Sequence, residues 1–246
     1  MKPLLLLVIL LGLAACASTA PKADPFAALR PRLVAEDPKP WPDGATRFAD
    51  AIERFVAEDA ANPPAPGQVL CIGSSSMGGW HGTLDEDLAP LPLVKRGFGG
   101  SMISDVLHYA DRIVLPYKPS AILLYEGDND VEGGFPPAQI AAAYLELVDR
   151  VHAELPETRF YILSVKPSPS RWDKWPAMQE TNALLAEMCA MDERLVFVDI
   201  ATPMLGPDGT PRRDIFLDDM LHMNRAGYEL WTPVVRAAMA REFAGK

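Results

Sequence analysis

Five short apolar runs constrain this chain more than any other feature. They fall at residues 68–72, 91–94, 121–125, 160–165 and 195–200, and turn residues bound each one. Their apolarity is continuous instead of alternating, as expected of strands covered on both faces in a parallel sheet. Helical periods lie between them, at 102–115, 137–155 and 175–191. In the second of these, Ile140, Tyr144, Leu147, Val148 and Val151 share one face. An earlier helix over 46–61 groups Phe48, Ile52, Phe55 and Val56, and Pro63, Pro64, Pro66 and Gly67 stop it. A last helix is expected over 225–243, with Pro233 kinking it or shifting its start. Strands alternating with helices predict an α/β architecture in three α/β/α layers. It is a doubly wound, flavodoxin-like parallel sheet of about five strands, in a single domain over 46–246.

The chain opens differently. Lys2 precedes an apolar run over 4–11, followed by Gly12, Leu13, Ala14, Ala15 and Cys16. One positive charge, a short apolar core and a small-residue exit predict an export signal over 1–15. No later run reaches the roughly 18 apolar residues of a membrane span. Leu13-Ala14-Ala15-Cys16 resembles the lipobox of bacterial lipoproteins, which implies that Cys16 is diacylated and becomes the mature N-terminus. Ala17, where Asp would signal retention, resembles the pattern sorted to the outer membrane. The expected location is therefore the cell envelope, lipid-anchored and facing the periplasm, with the membrane met only through that anchor. Six prolines between 21 and 42 predict a semi-extended tether over 16–45.

A formal net charge of −10, from 23 basic against 33 acidic residues, argues against a nucleic-acid binder. Of the three cysteines, Cys71 and Cys189 sit in apolar strand-like and helix-like runs and read as buried small hydrophobes.

In open parallel sheets, ligands bind beyond the carboxyl ends of the strands. After the first run comes Gly73-Ser74-Ser75-Ser76. The glycine permits a sharp reversal that lifts a serine hydroxyl into the crevice, but a bare serine needs an adjacent base. The same loop would serve as a helix cap or a phosphate nest. After the second comes Arg96-Gly97-Phe98-Gly99-Gly100-Ser101, which permits close approach and leaves a backbone N–H free for a ligand. After the third comes Glu126-Gly127-Asp128-Asn129-Asp130, offering carboxylates to a metal or the Asn129 amide as a donor.

Near the C-terminus, Asp219 lies three residues before His222, placed to accept its Nδ1 proton and leave Nε2 as a base. Asp218 is the local rival, and Asn224 is placed to cap the helix that follows. His81, His108 and His152 have no partner at a catalytic or metal spacing and read as surface or packing residues. A serine, a carboxylate–histidine pair and two donor loops are the parts of acyl transfer, with no metal or organic cofactor required.

These blocks resemble those of the SGNH (GDSL-type) hydrolase superfamily, across residues 69–231. Gly73-Ser74-Ser75 resembles its first block with Ser74 in place of the usual Asp, and Gly97-Phe98-Gly99-Gly100 its second. Gly127-Asp128-Asn129-Asp130 and Asp219-Met220-Leu221-His222 resemble the third and fourth. The resemblance implies a serine esterase acting on a small ester, with short acyl groups favoured because no large apolar insertion supplies a lid. It implies Ser75 as nucleophile, His222 as base and Asp219 as its partner. The oxyanion donors would be the backbone N–H groups of Ser75 and Gly100 and the amide of Asn129. Lys95 stands where many members carry Asn. The Gly-x-Ser-x-Gly elbow of other serine hydrolases fails here, because Met77 occupies its last position. Arg171, Trp172 and Trp175 read as a rigid proline-rich loop over packed tryptophans more readily than as pocket lining. Rival readings are a catalytically silent envelope lipoprotein that uses the crevice to bind a ligand, a phosphate-binding module, and a metallohydrolase built on Asp128, Asp130 and His222.

Overall fold

Val69–Gly73 (β1), Leu93–Gly97 (β2), Ala121–Tyr125 (β3), Arg159–Leu163 (β4) and Leu195–Val198 (β5) pair in parallel in the order β2-β1-β3-β4-β5. This is the architecture expected from the apolar runs. The computed structural model describes residues 23–244. Cys16 and the export signal expected over 1–15 lie outside the described residues.

Alternation inside the strands divides the core in two. Leu70, Ile72, Ile122, Leu124, Phe160 and Ile162 face one apolar cluster, while Val69, Cys71, Leu123, Tyr125, Tyr161 and Leu163 face the other. Both faces are buried because helices cover both, so the sequence shows unbroken apolar runs. On the first face pack Ala49–Ala61 (α1), Ile103–His108 (α3), Pro137–Glu154 (α5) and Trp175–Ala190 (α6). On the second pack Ser75–Trp80 (α2) and Arg225–Ala238 (α7). Asp128–Glu132 (α4) is a short helix directly after β3. Cys71 and Cys189 are buried free thiols.

Register sets the site. Gly73 lies level with Gly97 and with Tyr125, so β1, β2 and β3 end in one row. The direction in which successive strands are added reverses at β1, because β2 lies on one side of it and β3 on the other, all three running parallel. The crevice of a doubly wound sheet opens at such a switch point.

Two helical expectations change. The helix expected over 102–115 breaks at Tyr109, whose hydroxyl donates to the Gly44 carbonyl at 2.6 Å, and resumes over Ala110–Ile113. The last helix instead runs through Pro233 and breaks only at Met239. Pro233 and Glu229 are both exposed, so water can take the carbonyl that the missing N–H leaves unpaired.

The tether expected over 16–45 is corrected in its described part. Residues 24–41 dock on the domain. Phe26, Leu29 and Leu33 are buried, the last two within and beside a 3-10 turn at Arg30–Leu33. Arg30 pairs with Asp149 at 2.8 Å, Lys39 donates to the Gly133 carbonyl at 2.9 Å, and Trp41 stacks on Phe135 at 4.2 Å. Proline density forbids long helices or strands but does not prevent docking. Three apolar side chains spaced 26, 29, 33 offer about 1.5–3 kcal/mol each on burial, enough to hold an irregular strap.

Candidate active site

Gly73 begins the turn that presents Ser75. Its φ is +149°, and a Cβ there would come within 2.0 Å of the Tyr125 carbonyl oxygen, so only glycine fits. The chain turns over into α2, with Ser74 buried at the cap and Ser75 the first helical residue. As a first-turn residue, Ser75 has an N–H with no acceptor inside the helix. Tyr228 and Trp231 of α7 pack against Trp80, and the Tyr228 hydroxyl donates to the Ser76 carbonyl at 2.9 Å. Asp87 reinforces the same junction. It accepts from Trp80 Nε1 at 2.7 Å and from both terminal nitrogens of Arg225 at 2.6 Å, and these bonds, Arg225 foremost, draw its carboxyl down to about 2.

The loop before α7 brings the base to the serine. Asp219 folds back, its Oδ1 accepting from the N–H groups of Leu221 at 3.0 Å and His222 at 2.9 Å, while Met220 takes a φ of +54°. Asp219 Oδ2 lies 2.5 Å from His222 Nδ1, and His222 Nε2 lies 2.9 Å from Ser75 Oγ. An ionised carboxylate only accepts, so Nδ1 carries the proton and Nε2 accepts from the serine hydroxyl. The His222 bond foremost, then the two backbone bonds, hold the Asp219 carboxyl well below the usual carboxylate range. Asp218 is exposed, and Asn224 caps α7 by accepting from Gly227 N–H at 3.3 Å.

The two donor loops flank this relay. Gly99 lies beside the serine: a Cβ on it would stand 3.5 Å from Ser75 Cβ. Gly100 has a φ of +85° and nothing within 4 Å of where its Cβ would be. Its carbonyl accepts from Arg47 at 3.2 Å, and Arg47 also pairs with buried Asp105 at 2.9 Å. Asn129 Nδ2 donates to the Ser101 carbonyl at 2.9 Å, and Arg171 donates to Asn129 Oδ1 at 3.1 Å. With its oxygen engaged, the amide has a fixed orientation and one N–H left over.

Ser75, Asp219, His222, Gly100 and Asn129 thus gather at one rim. Asp128, Asp130 and His222 do not converge. Asp130 accepts from the N–H groups of Ile103 and Gly127, both at 3.1 Å, and Asp128 faces Lys166. Beneath the loops, Glu126 accepts from Ser101 Oγ at 2.5 Å, its other oxygen having no hydrogen-bond partner among the described residues. Burial first, then the charge of Asp130, pushes the Glu126 carboxyl well up. Burial pushes the Asp130 carboxyl up as well, to about 7, and the two N–H donors it accepts from oppose that rise, whereas Glu126 has no backbone donor to do so.

The other histidines pack, as their lack of partners suggested. His81 accepts from Gly97 N–H at 3.2 Å, and burial, then Lys95, pulls its pKa down to about 4. His152 bonds the Thr158 carbonyl at 2.9 Å, and His108 packs on Tyr109. Lys95 pairs with Asp85 at 2.6 Å. Arg47, Asp87, Glu126 and Lys166 escaped sequence reasoning, because each matters through a partner distant in the chain.

The sequence profile of the GDSL-like lipase/acylhydrolase family matches residues 66–230. No curated protein matches the chain. Among solved structures, a GDSL-like lipase from Bacteroides thetaiotaomicron is similar at a TM-score of 0.65 and 20% identity, over 77% of this chain and 97% of that one. A catalytic mutant of an acetylxylan esterase from Geobacillus stearothermophilus is similar at a TM-score of 0.58 and 14% identity, over 72% of this chain and 95% of that one.

Proposed function

The chain belongs to the GDSL-like lipase/acylhydrolase family and is a carboxylic ester hydrolase; we propose that it cleaves its esters through Ser75, His222 and Asp219 by way of an acyl-enzyme. The observation that carries this reading is the unbroken hydrogen-bond chain from Ser75 Oγ to His222 Nε2 at 2.9 Å and from His222 Nδ1 to Asp219 at 2.5 Å. His222 takes the serine proton as Ser75 attacks the ester carbonyl, and Asp219 stabilises the imidazolium that forms. The N–H groups of Ser75 and Gly100 and the free N–H of the Asn129 amide receive the oxyanion. His222 then protonates the leaving alcohol, and water releases the acyl group by the same route.

Ser75→Ala tests the assignment. Turnover of a nitrophenyl acetate should fall by about 10⁴ or more, and covalent labelling by a fluorophosphonate should vanish. Retention of both would reject Ser75.

Short acyl groups suit a relay that lies at an open rim, with the His222 and Asp219 side chains 38% and 48% exposed. A panel of nitrophenyl esters from acetate to palmitate checks this, with kcat/KM expected to be highest for the shortest. The Leu13-Ala14-Ala15-Cys16 pattern supports an exported lipoprotein on the periplasmic face of the outer membrane. Incorporation of labelled palmitate, lost in Cys16→Ser, is the expected result.

A further inference from the structure

Lys166, in the loop after β4, is the oddest side chain at the rim. It is 1% exposed, and chains bury lysine only against compensating partners. Its ammonium donates to the Leu221 carbonyl at 2.9 Å, lies 3.4 Å from Asp128 Oδ2 and faces the Phe216 ring at 5.8 Å. Each polar partner is the immediate chain neighbour of a residue in the proposed reaction: Leu221 precedes His222, and Asp128 precedes Asn129. Arg171, five residues further along the same loop, bonds Asn129 Oδ1 and lies 3.5 Å from Asp128.

The loop bearing His222 has need of such an anchor. It is irregular, it holds Met220 at positive φ, and Leu217 at its start is 50% exposed. From the loop after β4 it receives two hydrogen bonds, from Ser170 N–H to the Met220 carbonyl at 3.0 Å and from Lys166 to Leu221. Only the second comes from a buried charge, and that charge also grips the start of α4.

We propose that Lys166 is a positioning residue for ester cleavage: it ties the backbone of the base and the helix of the oxyanion donor to one buried point. Lys166 thereby sets the spacing between His222 and Asn129. The inference rests on the roles proposed above for Ser75, His222 and Asn129.

Lys166→Met in the full chain keeps the apolar stem and removes the three donors. Because misplacement of about 1 Å can cost 10²-fold, kcat on nitrophenyl acetate should fall about 10- to 100-fold with KM within about twofold of wild type. Glu242→Gln is the comparison. Glu242 is buried at the opposite end of the sheet, where it pairs with Arg159 and accepts from Tyr161 at 2.8 Å. That variant should lose thermal stability yet keep kcat. A Lys166→Met kcat within about threefold of wild type would overturn the proposal, as would a loss shared equally by Glu242→Gln at matched folded fraction. If Lys166→Met does not fold, Asp128→Asn weakens the same pair; a smaller kcat loss at constant KM supports the inference, and unchanged kcat overturns it. Failure of the underlying reading looks different, because wild type itself would then show no Ser75-dependent turnover.

Discussion

Around the carboxyl rim of the sheet, the side carrying Asp219 and His222 lies open to solvent, whereas the side behind Asn129 rests on Glu126, Asp128, Asp130 and Lys166, all buried. Carboxyl groups on the two sides are driven in opposite directions. Asp219 is pulled down by three hydrogen bonds while remaining half exposed, and Glu126 is pushed up by burial. The division follows from what each side would do. A relay must exchange protons and admit an ester, so hydrogen bonds, not desolvation, set its charges. Oxyanion donors act best when they need no reorganisation as charge develops, which a dry and rigid support provides.

The largest expected break in this contrast is on the open side. Asp219→Asn should lower kcat by about 10³–10⁴, through the wrong histidine tautomer, while leaving Tm nearly unchanged because the side chain is exposed. A large fall in Tm would show the relay to be structural as well. Next comes the donor. Asn129→Ala should lower kcat by about 10²–10³ with little change in KM; an effect confined to KM would make Asn129 a substrate-binding group.

The smallest effect is on the buried side and appears in stability. The Glu126 carboxyl binds its proton more tightly in the fold than in the unfolded chain. Above the ordinary carboxylate range the unfolded chain loses that proton while the fold retains it, and stability falls as pH rises. Glu126→Gln removes this cost. Its Tm should exceed that of wild type near pH 8, with the difference shrinking toward about pH 4. A difference that does not depend on pH would place the buried proton elsewhere.

Legibility divides along the same line. The open side was readable because its chemistry is written in short local blocks: a glycine that only a sharp turn requires, and an Asp three residues before a His. The five strands were readable from their unbroken apolarity. The buried side was not, since Lys166 meets Leu221 and Asp128 across distances in the chain that no periodicity marks. Tyr109 and Pro233 misled for a related reason. A tertiary hydrogen bond to Gly44 accompanies the break in one predicted helix, and solvent exposure lets the other continue through proline.

The family match begins at residue 66, yet Phe26, Leu29, Leu33 and Ile52 are all buried in the same core as the sheet. A recombinant version trimmed to the matched segment would shed those side chains and bare the surface beneath them. It would also lose Arg47, which grips Gly100. Such a fragment invites aggregation through the uncovered patch. Cloning boundaries for this protein therefore belong upstream of Phe26, well outside the homologous region.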